Sequence, residues 1–332
     1  LGRAMHAMGY EVSVAYFREE GAVLVAQLQA AGLSTWPLNK KKRIDPVFLV
    51  NFVNFLRQNK RFKILSFGYT ANFWTRIALL SARGPTVVTC VRDHKYIPAL
   101  PKPIEHALIW LERLLAWKSR RIVANSNAAM QSLVDRGAIP RSKCLVIPNG
   151  VENQTFASRA EARERLESLL PPGTGPIIGC MARLVPVKDH ATLIRAARLV
   201  VDAVPEARFV IAGEGPERKR IEELCADLKL DNNVFLPGSL PGHLYLAGFD
   251  IATLQSLAEG MPNFILEAMA AEVPVLASRV GALPEMLAEG KLGILFRVGD
   301  HEALAEGIFS IIKAPADARN RALAASIKTK SM

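Results

Sequence analysis

The stretch Leu254–Ser278, "LQSLAEGMPNFILEAMAAEVPVLAS", decides the fold. It opens on the end of an apolar strand and turns at Gly260–Asn263. It then runs through a helix from Asn263 to Ala271 and closes in a second apolar strand. Strand, crossover helix and strand, with both strands apolar on both faces, is the signature of a parallel sheet covered by helices. Two carboxylates, Glu259 and Glu267, stand around the mouth of the helix, whose other residues after Asn263 are Ala, Met, Leu, Ile and Phe.

The same rhythm extends outward along the chain. "EVSVAYF", "KILSF", "TVVTC", "RIVAN" and "CLVIPN" read as strands in the first half, with helices such as "PVFLVNFVNFLRQ", "NFWTRIALLSAR" and "IEHALIWLERLLAWK" between them. "IIGCMA", "ARFVIAG", "NVFLPG", "DIATLQ", "VPVLAS" and "GILF" repeat it in the second half, alternating with "HATLIRAARLVVDAV", "ERKRIEELCADLK", "FILEAMAA" and "HEALAEGIFSII". Two such sets predict an α/β protein of two doubly wound, Rossmann-like domains, 1–153 and 154–332. Ligands of open parallel sheets bind beyond the carboxyl ends of the strands, so the cleft between two such domains is the expected site.

Composition narrows the classes. The chain has 332 residues, 50% of them hydrophobic, and no apolar run reaches the 18 or so residues of a membrane span. Cys90, Cys144, Cys180 and Cys225 form no CxxC pair and read as reduced thiols of a cytosolic protein. Residues 1–150 carry 22 Lys and Arg against 8 Asp and Glu, whereas 151–332 carry 20 against 23. A basic first domain suits a phosphorylated acceptor or an anionic membrane surface. No helix-turn-helix, RNP-like motif or zinc spacing accompanies the charge, and no nucleic-acid partner is expected.

The strand ends name the candidates. Gly68, Tyr69, Arg92, Asp93, His94, Asn125 and Ser126 close strands of the first half; Arg183, Gly213, Glu214, Gly215, Gly238 and Glu259 close those of the second. His94, in "CVRDHKY", faces the acceptor, acts as a base, or is a structural or surface histidine. Gly213 and Gly215 bracket Glu214 either as a ligand-facing loop or as a plain turn. The helix after Pro262 offers unpaired N–H groups and a partial positive charge, which suit a diphosphate. Glu267 can chelate a pair of sugar hydroxyls, and Arg183 and Lys188 can supply cations. Together these features describe a nucleotide-sugar site.

The motifs "VIPNGVE" (146–152), "ARLVPVKDHATLI" (182–194), "FVIAGEGPER" (209–218), "LAEGMPNFILEAMAAEVPVLAS" and "VGALPEML" (280–287) follow one another in order. In this order the chain resembles the family-4 glycosyltransferases of the GT-B fold, over nearly its whole length. The resemblance implies a retaining, metal-independent transferase that moves a sugar from a nucleotide-diphosphate sugar to a glycan or lipid-linked acceptor, in polysaccharide or cell-envelope biosynthesis. It implies that Arg183 and Lys188 hold the donor diphosphate, Glu267 the ribose, and Glu259 the donor sugar. Gly213, Gly215 and the backbone of Gly260, Met261, Pro262, Asn263 and Phe264 complete the donor site. Glu259, Arg183 and Lys188 are the expected catalytic group, with His94 a further candidate. No cofactor and no metal are expected, and the sequence holds no Asp-x-Asp pair. The implied location is cytoplasmic, on the inner face of the plasma membrane.

Some positions depart from the family pattern. Ala182 stands where a Gly is usual, and so does Glu272 at the end of the site helix. The chain opens on the tail of a helix, "LGRAMHAMGY", and ends in "AASIKTKSM", where no apolar helix is evident. A first strand with its glycine loop and a final helix are therefore expected to be missing. On that reading the alternative is a nucleotide-sugar-binding remnant or scaffold of the same fold.

Overall fold

The computed structural model describes residues 1–17, 22–42, 45–82, 84–92, 101–151 and 156–330. Packing contacts divide the chain into two compact units, one around Leu1–Val91, 101–123 and Leu133–Leu145, the other around Ala124–Ser132 and Val146–Met332. Both are α/β and Rossmann-like.

The elements of the first half are α1 (Gly2–Ala7), β1 (Ser13–Tyr16), α2 (Ala22–Ala30), β2 (Ser34–Pro37), α3 (Pro46–Gln58), β3 (Lys63–Phe67), α4 (Tyr69–Ser81), β4 (Thr86–Val91), α5 (Lys102–Leu115), β5 (Ser119–Ala124), α6 (Asn127–Asp135) and β6 (Cys144–Val146). β3-β4-β5-β6 form one sheet, while β1 and β2 pair in parallel as a separate ribbon. The sequence does not announce β2, "STWP". It has four residues, only one of them half-buried, and ends in a proline that can donate nothing to a further partner. α3 starts where Asp45 accepts the Phe48 N–H at 3.0 Å and Pro46 takes the first helical turn. It lays Phe48, Phe52 and Leu56 against Ala78 and Leu79 of α4 and Val87 of β4.

A buried ion pair joins α4 to α5. Arg76 Nη2 donates to Glu112 Oε2 at 2.5 Å, with both side chains 1% exposed. Arg76 Nε also donates to the Asn72 carbonyl at 3.0 Å. Removing one member of such a pair leaves the other charged, buried and unpartnered.

The second half contains α7 (Arg159–Glu167), β7 (Ile177–Met181), α8 (His190–Ala203), β8 (Arg208–Ala212), α9 (Arg218–Asp227), β9 (Val234–Phe235), α10 (Gly242–Tyr245), β10 (Ile251–Leu254), α11 (Asn263–Ala270), β11 (Val275–Ser278), α12 (Leu283–Met286), β12 (Ile294–Phe296), α13 (His301–Lys313) and α14 (Pro315–Lys330). Its six strands lie in the order β12-β11-β10-β7-β8-β9. Consecutive residues feed opposite faces: Ile178 packs with Leu193, Ile211 and Ile308, whereas Ile177 packs with Phe249, Ile265 and Met269. Burial on both faces is why these strands read as continuous apolar runs.

Two features answer expectations about the last third. "AASIKTK" does belong to a helix, α14, which packs on α11. It buries Ala318, Ala322, Ala325, Ser326 and Thr329. A face of alanines and hydroxyls gives little apolar signal in sequence, yet allows close approach. Glu272 follows α11 at φ 58°, the left-handed position that glycine occupies without penalty. Its carboxylate accepts from the Ser326 hydroxyl at 3.3 Å.

Glu112→Ala should destabilise the first unit by about 3–5 kcal/mol in urea denaturation, and replacing Arg76 and Glu112 together with Met and Leu should recover most of that loss. Glu272→Gly should act the other way and add about 0.5–1 kcal/mol, read as a raised melting temperature.

Candidate active site

β7 and β10 are neighbours in the sheet, although β8 and β9 intervene in sequence. The order of strands reverses between them, and the connections leave in opposite directions. Their carboxyl-end loops therefore meet at the position where open parallel sheets bind ligands. Residues 182–189 enter it from β7 and 255–262 from β10.

The β7 loop is pinned by backbone. Leu184 N–H donates to the Glu214 carbonyl at 2.9 Å, Glu217 N–H donates to the Leu184 carbonyl at 3.0 Å, and Leu257 N–H donates to the Val187 carbonyl at 2.8 Å. The last of these ties the two loops together. Gly213 has its role here: a Cβ on it would lie 1.9 Å from the Ala182 carbonyl oxygen. Gly213 and Gly215 thus let the β8 loop close against the β7 loop. Arg183 is exposed and its guanidinium makes no ion pair among the described residues.

Beneath Arg183 lies a histidine absent from the sequence-based candidates. His190, 3% exposed, opens α8. Its Nε2 is 3.2 Å from the Arg183 carbonyl, and its Nδ1 is 3.3 Å from Gln255 Nε2. The Arg183 carbonyl can only accept, which puts a proton on Nε2, and the Gln255 NH2 can only donate, which leaves Nδ1 unprotonated and the imidazole neutral. Burial lowers the His190 pKa, outweighing the Arg183 carbonyl that favours the charged form. Gln255 also donates to Cys180 Sγ at 3.7 Å, and its Oε1 is buried without a partner. Burial pushes the Cys180 thiol up to about 12. None of the four cysteines is in a disulfide.

Glu259 ends the β10 loop and is 8% exposed. Its Oε1 accepts from Lys188 Nζ and, at 2.5 Å, from the Ser256 hydroxyl. Ser256 is itself held, because Ser278 Oγ donates to its carbonyl at 2.7 Å. Gly281, at φ 56°, passes so close that a Cβ would sit 1.9 Å from the Glu259 carbonyl. Lys188 and Glu259, which the sequence places 71 residues apart, are thus in contact.

The turn 260–263 leads into α11. Met261 and Phe264 are buried and Asn263 is exposed. Pro262 precedes the first helical residue, and no side chain caps that end. Asn149 of "VIPNGVE" braces the turn: its Nδ2 donates to the Met261 carbonyl at 2.9 Å and to Asn263 Oδ1 at 3.0 Å. Glu267 lies half-buried one turn further along α11. Gly242 packs against it, where a Cβ would come within 3.1 Å of Glu267 Oε2. Asp93 and His94 lie outside the described residues. Among the described residues, no three His, Cys, Asp or Glu side chains are grouped to hold a metal ion.

The Glycosyl transferases group 1 family model matches residues 161–329, and that of Glycosyltransferase Family 4 matches 1–155. This chain belongs to the family-4 glycosyltransferases. Its relatives include the GDP-mannose-dependent alpha-(1-6)-phosphatidylinositol monomannoside mannosyltransferase of Mycolicibacterium smegmatis, 29% identical over 51% of this chain and 47% of that protein. They also include the Escherichia coli UDP-Gal:alpha-D-GlcNAc-diphosphoundecaprenol alpha-1,3-galactosyltransferase, 24% identical over 80% of this chain and 70% of that one. The chain spans about half the length of the mycobacterial and plant relatives it matches. Anabaena HepE, solved in complex with UDP, shares the fold at a TM-score of 0.81 and 21% identity, over 98% of this chain and 89% of that one.

His190 gives the chain a pH signature. Its folded pKa is lowered, so the unfolded chain takes up a proton first. The stability it contributes is complete above the unfolded value and is lost as pH falls through the folded one. The melting temperature should fall as pH drops below the ordinary histidine value of about 6.5, and His190→Gln should flatten that slope.

Proposed function

We propose that the chain is a retaining, metal-independent glycosyltransferase that uses a nucleoside-diphosphate sugar and a glycan or lipid-linked acceptor at an anionic membrane face. The observation that carries the donor reading is the Lys188–Glu259 contact at the β7–β10 reversal, next to the uncapped start of α11. Arg183, in the loop after β7, is exposed and has no ion-pair partner among the described residues, and its guanidinium can grip phosphate oxygens in bidentate fashion. The α11 N–H groups add fixed positive charge. Glu267, half-buried on α11, accepts from the ribose hydroxyls, and Glu259 from the donor sugar.

The reaction needs charge stabilisation on the leaving diphosphate, which Arg183, Lys188 and the helix terminus supply. As the bond from the anomeric carbon to the diphosphate oxygen breaks, the acceptor oxygen bonds to that carbon on the same face. The acceptor proton passes to the leaving diphosphate oxygen. No strong base on the protein is required, which leaves His94 a supporting role at most. The membrane part of the reading rests on the 22 Lys and Arg against 8 Asp and Glu in residues 1–150. Among the described residues, no helix is long and apolar enough to cross a membrane.

Calorimetric titration with UDP, GDP and ADP, with and without Mg²⁺, tests the donor reading. One diphosphate should bind equally well in both conditions. Lys188→Ala should weaken it at least about tenfold, near 1.4 kcal/mol. Unchanged affinity in that variant would overturn the assignment, and donor binding without transfer would favour the scaffold alternative.

A further inference from the structure

Helix α5 turns both of its carboxylates away from its outer face. Glu112 is buried against Arg76, and Glu105 pairs with Arg136. What remains outside is a second apolar stripe. Pro103, Ala107, Trp110, Leu114 and Trp117 recur at spacings of four and three, the period of one helical face, and all are exposed. Trp110 and Trp117 are each 62% exposed, Ile104 51% and Leu114 45%. Lys102, His106 and Arg113 are exposed among them, and Arg120 and Arg121 follow at once. Lys118 Nζ sits 4.1 Å from the centre of the Trp117 ring. No exposed carboxylate occurs anywhere from 101 to 121.

The patch is also held rigid. Lys143 Nζ donates to the carbonyls of Trp117 and Ser119, each at 2.8 Å, and to that of Ala116 at 3.2 Å. This fixes the turn that carries Trp117. The inward side of α5 carries its buried residues, Glu112 and Leu115, and the two exposed tryptophans add nothing to that packing. Indole rings with flanking lysines and arginines suit the boundary between lipid headgroups and acyl chains, where the ring is half-solvated and the cations meet phosphate.

We propose that the outer face of α5 and its Trp117 turn dock on an anionic lipid bilayer, with Trp110 and Trp117 as the anchors. This deepens the membrane part of the proposed function and rests on it, but not on the donor reading. A second copy of the chain is the poorer occupant, because a two-fold contact would press these cations against each other. Nucleic acid would meet the cations and leave the apolar stripe in water.

Co-sedimentation of the chain with phosphatidylcholine vesicles and with mixed phosphatidylcholine–phosphatidylglycerol vesicles tests the proposal. The chain should bind the mixed vesicles with a blue shift in tryptophan emission, and bind the neutral ones weakly. Replacing Trp110 and Trp117 together with Ser should cut binding about tenfold or more, with an unchanged melting temperature because both rings are exposed. Arg113→Glu should weaken binding most at low salt. Binding that survives the double substitution would place the membrane contact elsewhere and overturn this assignment while sparing the membrane reading. Failure to bind either vesicle would sink both. Wild-type dimers that dissociate in the tryptophan variant, or RNA binding lost with it, would reassign the face to those occupants.

Discussion

The site depends on β7 lying beside β10. Parallel strands need long crossovers, and at this one junction the crossovers depart to opposite sides, so the two carboxyl-end loops meet with no crossover laid over them. The candidate polar groups come chiefly from the two loops and from the helix that follows the second. Arg183 and Lys188 arrive on one; Ser256, Glu259 and α11 arrive on the other. A single backbone hydrogen bond, from Leu257 to Val187, sets the loops in register. Gly213 and Gly281 permit the close approaches that hold them there.

Charge within this frame is balanced rather than accumulated. Lys188 spends its ammonium on Glu259, and Ser256 shares the same carboxylate oxygen. Such a pair orders a long side chain before any ligand arrives, lowering the entropy that binding must overcome. Arg183 is exposed and joins no ion pair among the described residues. The neutral His190 below supports the Arg183 backbone through a hydrogen bond that adds no competing charge.

The first unit assigns its carboxylates in the same way. Arg76 takes Glu112 into the core and Arg136 takes Glu105, so the outer side of α5 is left with cations and indoles. The basic balance of residues 1–150 thereby becomes a particular surface. Composition alone gives the sign of the charge; the buried pair decides which face shows it.

The sequence by itself determined the α/β class and the alternation of strands and helices, and it singled out Arg183, Lys188, Glu259 and Glu267 as candidates. Those are local signals: strands buried on both faces leave unbroken apolar runs, and the E-x7-E spacing around Gly260–Asn263 lies within one turn and helix. Short or half-exposed elements such as β2, and the alanine face of α14, carried too little apolar contrast to be read. The tertiary structure alone decided what touches what across long separations. It paired Lys188 with Glu259, set His190 between Arg183 and Gln255, braced the Met261–Asn263 turn with Asn149, and buried one carboxylate of α5. Each of these contacts follows from strand order, and strand order is fixed by how crossovers pack over a shared core, a property of the assembled sheet that no local stretch of sequence contains.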